Sequence, residues 1–269
     1  MKYMHFNSSC SYAGLANMLA LQNYDTEDYK IALEMGLPYF IRYDINSNYY
    51  QAGAMLQSKE WFELYLKPRG FRYIEKVYSK DQLITNLRSG MMFGIQATLN
   101  SKHAIVFIKE EQGIYSFLNN KWEESSEEEY IYLKASELLE KVPENIAVGY
   151  IERCNAEDID VLSYYEETVT TWRKLQKELQ LFTSTIQSSE ELRESMNRLF
   201  RPLLVDTLAM MGLLNNEQMV SSLKWLQDEY LKAVKKNESV ILANEFDCTK
   251  FNEVIDKIID MVYLEKEKI

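Results

Sequence analysis

Cys10, His103 and Asn119 have the chemistry of a nucleophile, a base and a group that orients the base. Cys10 follows Ser8 and Ser9, both natural N-cap residues, and precedes Leu15, Met18 and Leu19 at helical spacing, so it is predicted in the first turn of a helix. There the positive end of the helix dipole favours a thiolate. The bland alternative is a small buried apolar residue, against which the serines at 8, 9 and 11 count. His103 opens the apolar run His103-Ala104-Ile105-Val106-Phe107-Ile108, where an imidazole reaches a helix-borne thiolate across a cleft. An edge histidine with an ordinary hydrogen bond is the competing reading. Asn119 ends the next such run, 16 residues on, with Glu110-Glu111-Gln112-Gly113 as a hairpin turn between them. That turn places Asn119 beside His103, where its carbonyl holds the ring's tautomer and angle. Asn120, in Asn120-Lys121-Trp122, is the rival third residue.

These residues need a scaffold, and the texture of the chain supplies one. After the Cys10 helix, Asp25 or Thr26 is predicted to cap a short helix that ends at Gly36, and a third helix covers 52–66 before Pro68 and Gly70. From Gly90 the period becomes two, and the runs 91–99, 103–109 and 113–119 are predicted strands of one antiparallel sheet. A solvated acidic loop at 123–129, a helix at 135–141 and a strand from Ile146 complete this part. Leu162, Tyr165, Val169, Trp172, Leu175, Leu179 and Phe182 then step by three or four along a long amphipathic helix. Ser188 with Glu191 is a capping box, Gly212 ends that helix, and two more cover 217–235 and 250–266. The expected class is therefore α+β: an N-terminal Cys helix packed on an antiparallel sheet over 1–156, then an all-α bundle over 157–269.

Composition narrows the function. The net charge of −11 disfavours a phosphate-backbone binder, so no nucleic-acid partner is expected. Residues 1–156 carry 16 basic and 20 acidic groups and the remainder 14 and 21, which makes the bundle the more acidic part. Three dispersed cysteines, Cys10, Cys154 and Cys248, form neither a disulfide framework nor a metal knuckle and suit a reducing cytoplasm. With only His5 and His103 in the chain, an imidazole base is one of the two, and Cys154 and Cys248 read as structural. No signal peptide, membrane span, metal site or nucleotide motif is expected.

A Cys helix, a His opening a strand and an Asn closing the next resemble the papain-like cysteine peptidases, in particular their bacteriocin-processing branch. Within it, the stretch from Ser8-Ser9-Cys10-Ser11 to Tyr43-Asp44 is similar to the N-terminal domain of the BtrH-like acyltransferases of butirosin biosynthesis. What matches is the Cys helix, the Thr26-Glu27-Asp28 helix start, Glu34-x-Gly36-Leu37 and the aromatic Pro38-Tyr39-Phe40. The resemblance covers residues 5–150, and a helical C-terminal part fits such proteins. It implies amide formation: an acyl group on the phosphopantetheine arm of an acyl or peptidyl carrier protein passes through Cys10 to a small amine. Papain-like homologues in thio-templated natural-product assembly, including the amide-forming enzyme of closthioamide biosynthesis, do chemistry of this type. No bound cofactor is implied. The same site equally describes a cysteine peptidase or thioester hydrolase, and a catalytically dead adaptor is the reading from another class. One departure stands out. Where that branch carries a Gln before the Cys for the oxyanion hole, this chain has Met4, His5, Phe6 and Asn7; Asn7 with the Cys10 N–H is the first candidate and His5 the second. Trp61, Phe62, Tyr39, Tyr43, Tyr49 and Tyr50 form either an acyl pocket or core, and Lys224, Lys232, Lys235 and Lys236 either a carrier-protein patch or a solvated face.

Overall fold

In chain order the elements are α1 (Cys10–Leu21), α2 (Asp28–Glu34), β1 (Ile41–Asp44), β2 (Tyr49–Ala52), α3 (Lys59–Leu66), β3 (Phe71–Ser79), α4 (Lys80–Asn86) and β4 (Met92–Thr98). Next come β5 (Ser101–Glu111), β6 (Ile114–Asn119), β7 (Tyr130–Lys134), α5 (Ala135–Lys141), β8 (Asn145–Arg153) and α6 (Val161–Ser184). The chain ends with β9 (Ile186–Gln187), α7 (Ser189–Ser195), α8 (Leu208–Leu213), α9 (Glu217–Lys235), β10 (Val240–Ile241), α10 (Leu242–Glu245) and α11 (Thr249–Lys266). This computed structural model describes residues 1–6, 10–98, 101–236, 238–245 and 247–268. The α+β class with an antiparallel sheet is as expected.

Two compact units divide the chain, Met1–Met35 with Gln57–Ile159, and Gly36–Leu56 with Asp160–Ile269. A single boundary near 157 therefore omits one fact: the segment 36–56 clusters with the helical part. In the first unit a six-stranded antiparallel sheet runs in the order β3-β8-β4-β5-β6-β7. Alternation sends Phe93, Ile95, Ile105, Phe107 and Phe117 to one face, where Leu83 of α4 and Leu138 of α5 complete a buried cluster. The other face carries Met92, Ala104, Val106 and Leu118, and α1 packs there so closely that a Cβ on Gly14 would lie 2.3 Å from Met92 Sδ. Eight residues of α1, Tyr12 to Leu19, are buried, with the amide of Asn17 among them.

In the second unit α6 buries Tyr165, Trp172, Leu175 and Leu179 along one stripe, as its spacing predicts, and the Trp172 indole N–H donates to the Tyr39 carbonyl at 3.0 Å. The Ser188–Glu191 capping box is present at the start of α7. From there the helix widens into π-helical turns over Met196–Phe200 and Pro202–Thr207 before α8. A proline removes an N–H donor from the ladder, and π turns accommodate the break.

Two expectations need correction. The helix over 52–66 is instead the end of β2, a 3₁₀ turn at Gly53–Met55 with Gly53 at φ +50°, and α3. Neither Asp25 nor Thr26 caps α2: its N-cap is Glu27, without a side-chain cap, and the Thr26 hydroxyl lies 3.1 Å from the Tyr65 hydroxyl. The β1–β2 hairpin, β3 and α4 have no counterpart in the sequence reading.

Candidate active site

The hairpin that carries the site has a two-residue loop, Gln112-Gly113, with φ +54° and +78°, the left-handed pair that a tight hairpin turn requires. From that turn a regular ladder pairs Glu111 with Ile114, Glu110 with Tyr115 and Lys109 with Ser116. Continued without interruption it would set Asn119 opposite Val106, on the other face from His103. Ile108 is extruded as a bulge between Phe107 and Lys109, so the ladder shifts by one and Asn119 pairs with Ile105. Asn119 thereby joins His103 on one face. The imidazole Nε2 lies 2.7 Å from Asn119 Oδ1, and the amide Nδ2 donates in turn to the Glu128 carbonyl at 2.8 Å and lies 3.5 Å from Glu127 Oε2.

Cys10 is the first residue of α1, and the His103 ring, the Ala104 backbone N–H and the Ser11 hydroxyl each favour its thiolate. With Nε2 taken by Asn119, the ring nitrogen left for the sulfur is Nδ1. Burial pushes the Cys10 thiol up, but the His103 hydrogen bond, the Ala104 N–H, the imidazolium charge and Ser11 together hold it below its ordinary value. His103 is the mirror image. Burial lowers it, while the Cys10 sulfur, Asn119 and the charge of Glu127 raise it above the ordinary imidazole value by a larger amount. The two shifts run in the directions of a thiolate–imidazolium pair, which is the activated form of a cysteine nucleophile.

No protein-family model matches the chain, and no curated protein does. The site therefore rests on its own geometry.

Cys10, His103 and Asn119 are thus brought together, and Asn120 is not the residue on His103. Its side chain turns elsewhere, donating to the Ala104 carbonyl at 2.9 Å and accepting from Asn17 Nδ2 at 2.9 Å. Asn7, with the Ser8 and Ser9 cap, lies outside the described residues. His5 is tied to buried Asp28, its backbone N–H donating to Oδ2 at 2.8 Å and its Nδ1 2.5 Å from Oδ1. Among the described residues no cluster of metal ligands occurs, and no helix is long and apolar enough to cross a membrane.

The aromatic set divides between two cores: Trp61 and Phe62 are buried in the first unit, Tyr39 and Tyr50 in the second. Of the four lysines, Lys232 pairs with Glu229 and Lys236 with Glu245, which neutralises half of that patch. Sequence reasoning missed the Ala104 N–H, which no side-chain pattern reveals. It also took residues 123–129 as a solvated face only. They are mostly exposed, yet Glu127, Glu128 and Glu129 hold Asn119 through its amide and its backbone N–H, the latter donating to the Glu129 carbonyl at 2.9 Å. An acidic run starting four residues after Asn119 was the available signal.

Proposed function

We propose that the first unit is a papain-like catalytic domain and that the protein is a cysteine-dependent acyltransferase forming amide bonds. The observation that carries this reading is the Cys10–His103–Asn119 arrangement, with the thiol lowered and the imidazole raised.

In this reading Cys10 Sγ attacks the carbonyl carbon of a carrier-bound thioester, and the new C–S bond forms as the carrier's sulfur departs. The proton on His103 Nδ1 goes to that leaving thiolate. An amine then attacks acyl-Cys10 and loses its proton to His103, and the Cys10 thiolate is released as the amide forms. Asn119 keeps the ring's Nε2–H engaged, so Nδ1 faces the sulfur throughout. In this scheme the N–H of Cys10, the first residue of α1, stabilises the oxyanion. The acyl donor in this scheme arrives on the phosphopantetheine arm of a carrier protein, and the acceptor is a small amine.

Intact-mass spectrometry after mixing the protein with a panel of acyl thioesters tests this directly, with and without diamines and beside Cys10→Ala. The expected result is an acyl adduct, lost in Cys10→Ala, that an amine discharges faster than buffer. Discharge by water alone, indifferent to amines, makes the protein a hydrolase. No adduct at all removes the enzymatic reading and favours an adaptor.

A further inference from the structure

The helix that bears Cys10 and the strand that bears His103 are joined by a buried amide network. Asn120 is fully buried and Asn17 is 1% exposed. Continuing the β5–β6 register beyond Asn119 sets Asn120 opposite Ala104, but β6 has ended, and the Asn120 amide meets the Ala104 carbonyl in place of a ladder bond. Its own carbonyl accepts from Asn17, two turns along α1 from Cys10. Asn17 in turn clasps Lys2, accepting its N–H at 2.7 Å and donating to its carbonyl at 3.1 Å. The helix makes room for this entry: a Cβ on Gly14, one turn after Cys10, would lie 2.7 Å from Asn120 Nδ2. The carbonyl so held belongs to Ala104, whose N–H, on the adjoining peptide, helps hold the Cys10 thiol down and whose predecessor is His103.

We propose that Asn120 is a positioning residue: by pinning the Ala104 carbonyl to α1 through Asn17 and the space left by Gly14, it fixes the strand backbone at His103 and Ala104 and so sets the approach of the Cys10 sulfur to His103 and to the Ala104 N–H. The inference deepens the catalytic reading and rests on it. Asn119 and Asn120 then serve the same imidazole from two sides, one holding the ring and the other holding the backbone that carries it.

The test is the pH dependence of iodoacetamide alkylation at each cysteine, resolved by peptide mass, in the wild-type chain, Asn120→Ala and Gly14→Ala. Both variants are expected to move the acidic limb of Cys10 up by about half a unit, a loss of about threefold in thiolate near pH 6. Cys154 and Cys248 should keep their wild-type rates, which reports that the fold is intact. An unchanged limb in folded variants overturns the proposal and leaves Asn120 as a core amide. Should Asn120→Ala expose all three cysteines alike, Gly14→Ala decides, since it favours the helix and its methyl displaces the Asn120 amide together with the flexible Met92 side chain. A wild-type limb no lower than the ordinary thiol value of 9.0 would overturn the catalytic reading itself.

Discussion

Cys10 opens α1 and Cys248 is the N-cap of α11, so both thiols stand at a helix start, yet they depart from the ordinary thiol value in opposite directions. Burial raises both. At Cys248 it is opposed only by a hydrogen bond with Thr183 and is reinforced by the charge of Asp247, so the thiol stays protonated. At Cys10 an imidazole, a backbone N–H and a hydroxyl outweigh burial. A helix N-terminus therefore does not by itself make a nucleophile; the strand opposite does. Asp206 of the second unit teaches the same lesson with a carboxyl. It forms an ion pair with Arg201 at 3.5 Å, but neither Asp206 Oδ2 nor Arg201 Nε has a hydrogen-bond partner, and burial lifts the carboxyl to about 6.

His103→Ala should break the contrast most severely. With the imidazole gone, Cys10 keeps its helix and its burial and becomes a second Cys248, and its acylation by thioesters should fall by about 10²- to 10⁴-fold. Cys248 alkylation should not change.

Asp206→Asn tests burial without adequate partners. The folded carboxyl titrates about 6 against an ordinary 3.8, so its contribution to stability is fully present below 3.8 and is lost as the pH rises through about 6. Urea unfolding should show wild-type stability falling over that window by on the order of 3 kcal/mol more than that of the asparagine variant.

Asn119→Ala is expected to act more mildly. Loss of one hydrogen bond to a charged ring, worth about 1.5 kcal/mol, should slow acylation about tenfold and lower the alkaline limb of the Cys10 pH profile, which belongs to His103. Thr183→Val should have the smallest effect, moving Cys248 further up by about half a unit in an alkylation titration.

Much of this was legible in the sequence, for reasons that separate local from non-local information. Helical stripes such as Leu162 to Phe182 and the Ser188–Glu191 box are local: α6 spans its stripe and α7 begins at its box, although the helix expected to continue to Gly212 is broken into α7, π-helical turns and α8. The Cys10 helix and the strands around the Gln112-Gly113 turn are local too. What is not local is register. The spacing of His103 and Asn119 proposes a pair, but the regular ladder from that turn would have separated them by face, and only the Ile108 bulge makes them neighbours. No rule of spacing predicts which residue of a strand will be extruded. The same holds for Asn120, whose partners Asn17 and Ala104 lie 103 and 16 residues away. The β1 and β2 strands escaped notice because each is four residues long, too short for a period of two to stand out.

The most direct test of the central claim, that a strand-borne imidazole and not the helix start activates the nucleophile, is a site-resolved alkylation titration. Cys10 and Cys248 would be followed together across the pH range in the wild-type chain and in His103→Ala. The expected result is a Cys10 limb below 9.0 and a Cys248 limb above it, with the Cys10 limb moving up past 9.0 once His103 is removed. A Cys10 limb that stays below 9.0 in His103→Ala, or that coincides with Cys248 in the wild type, would contradict it.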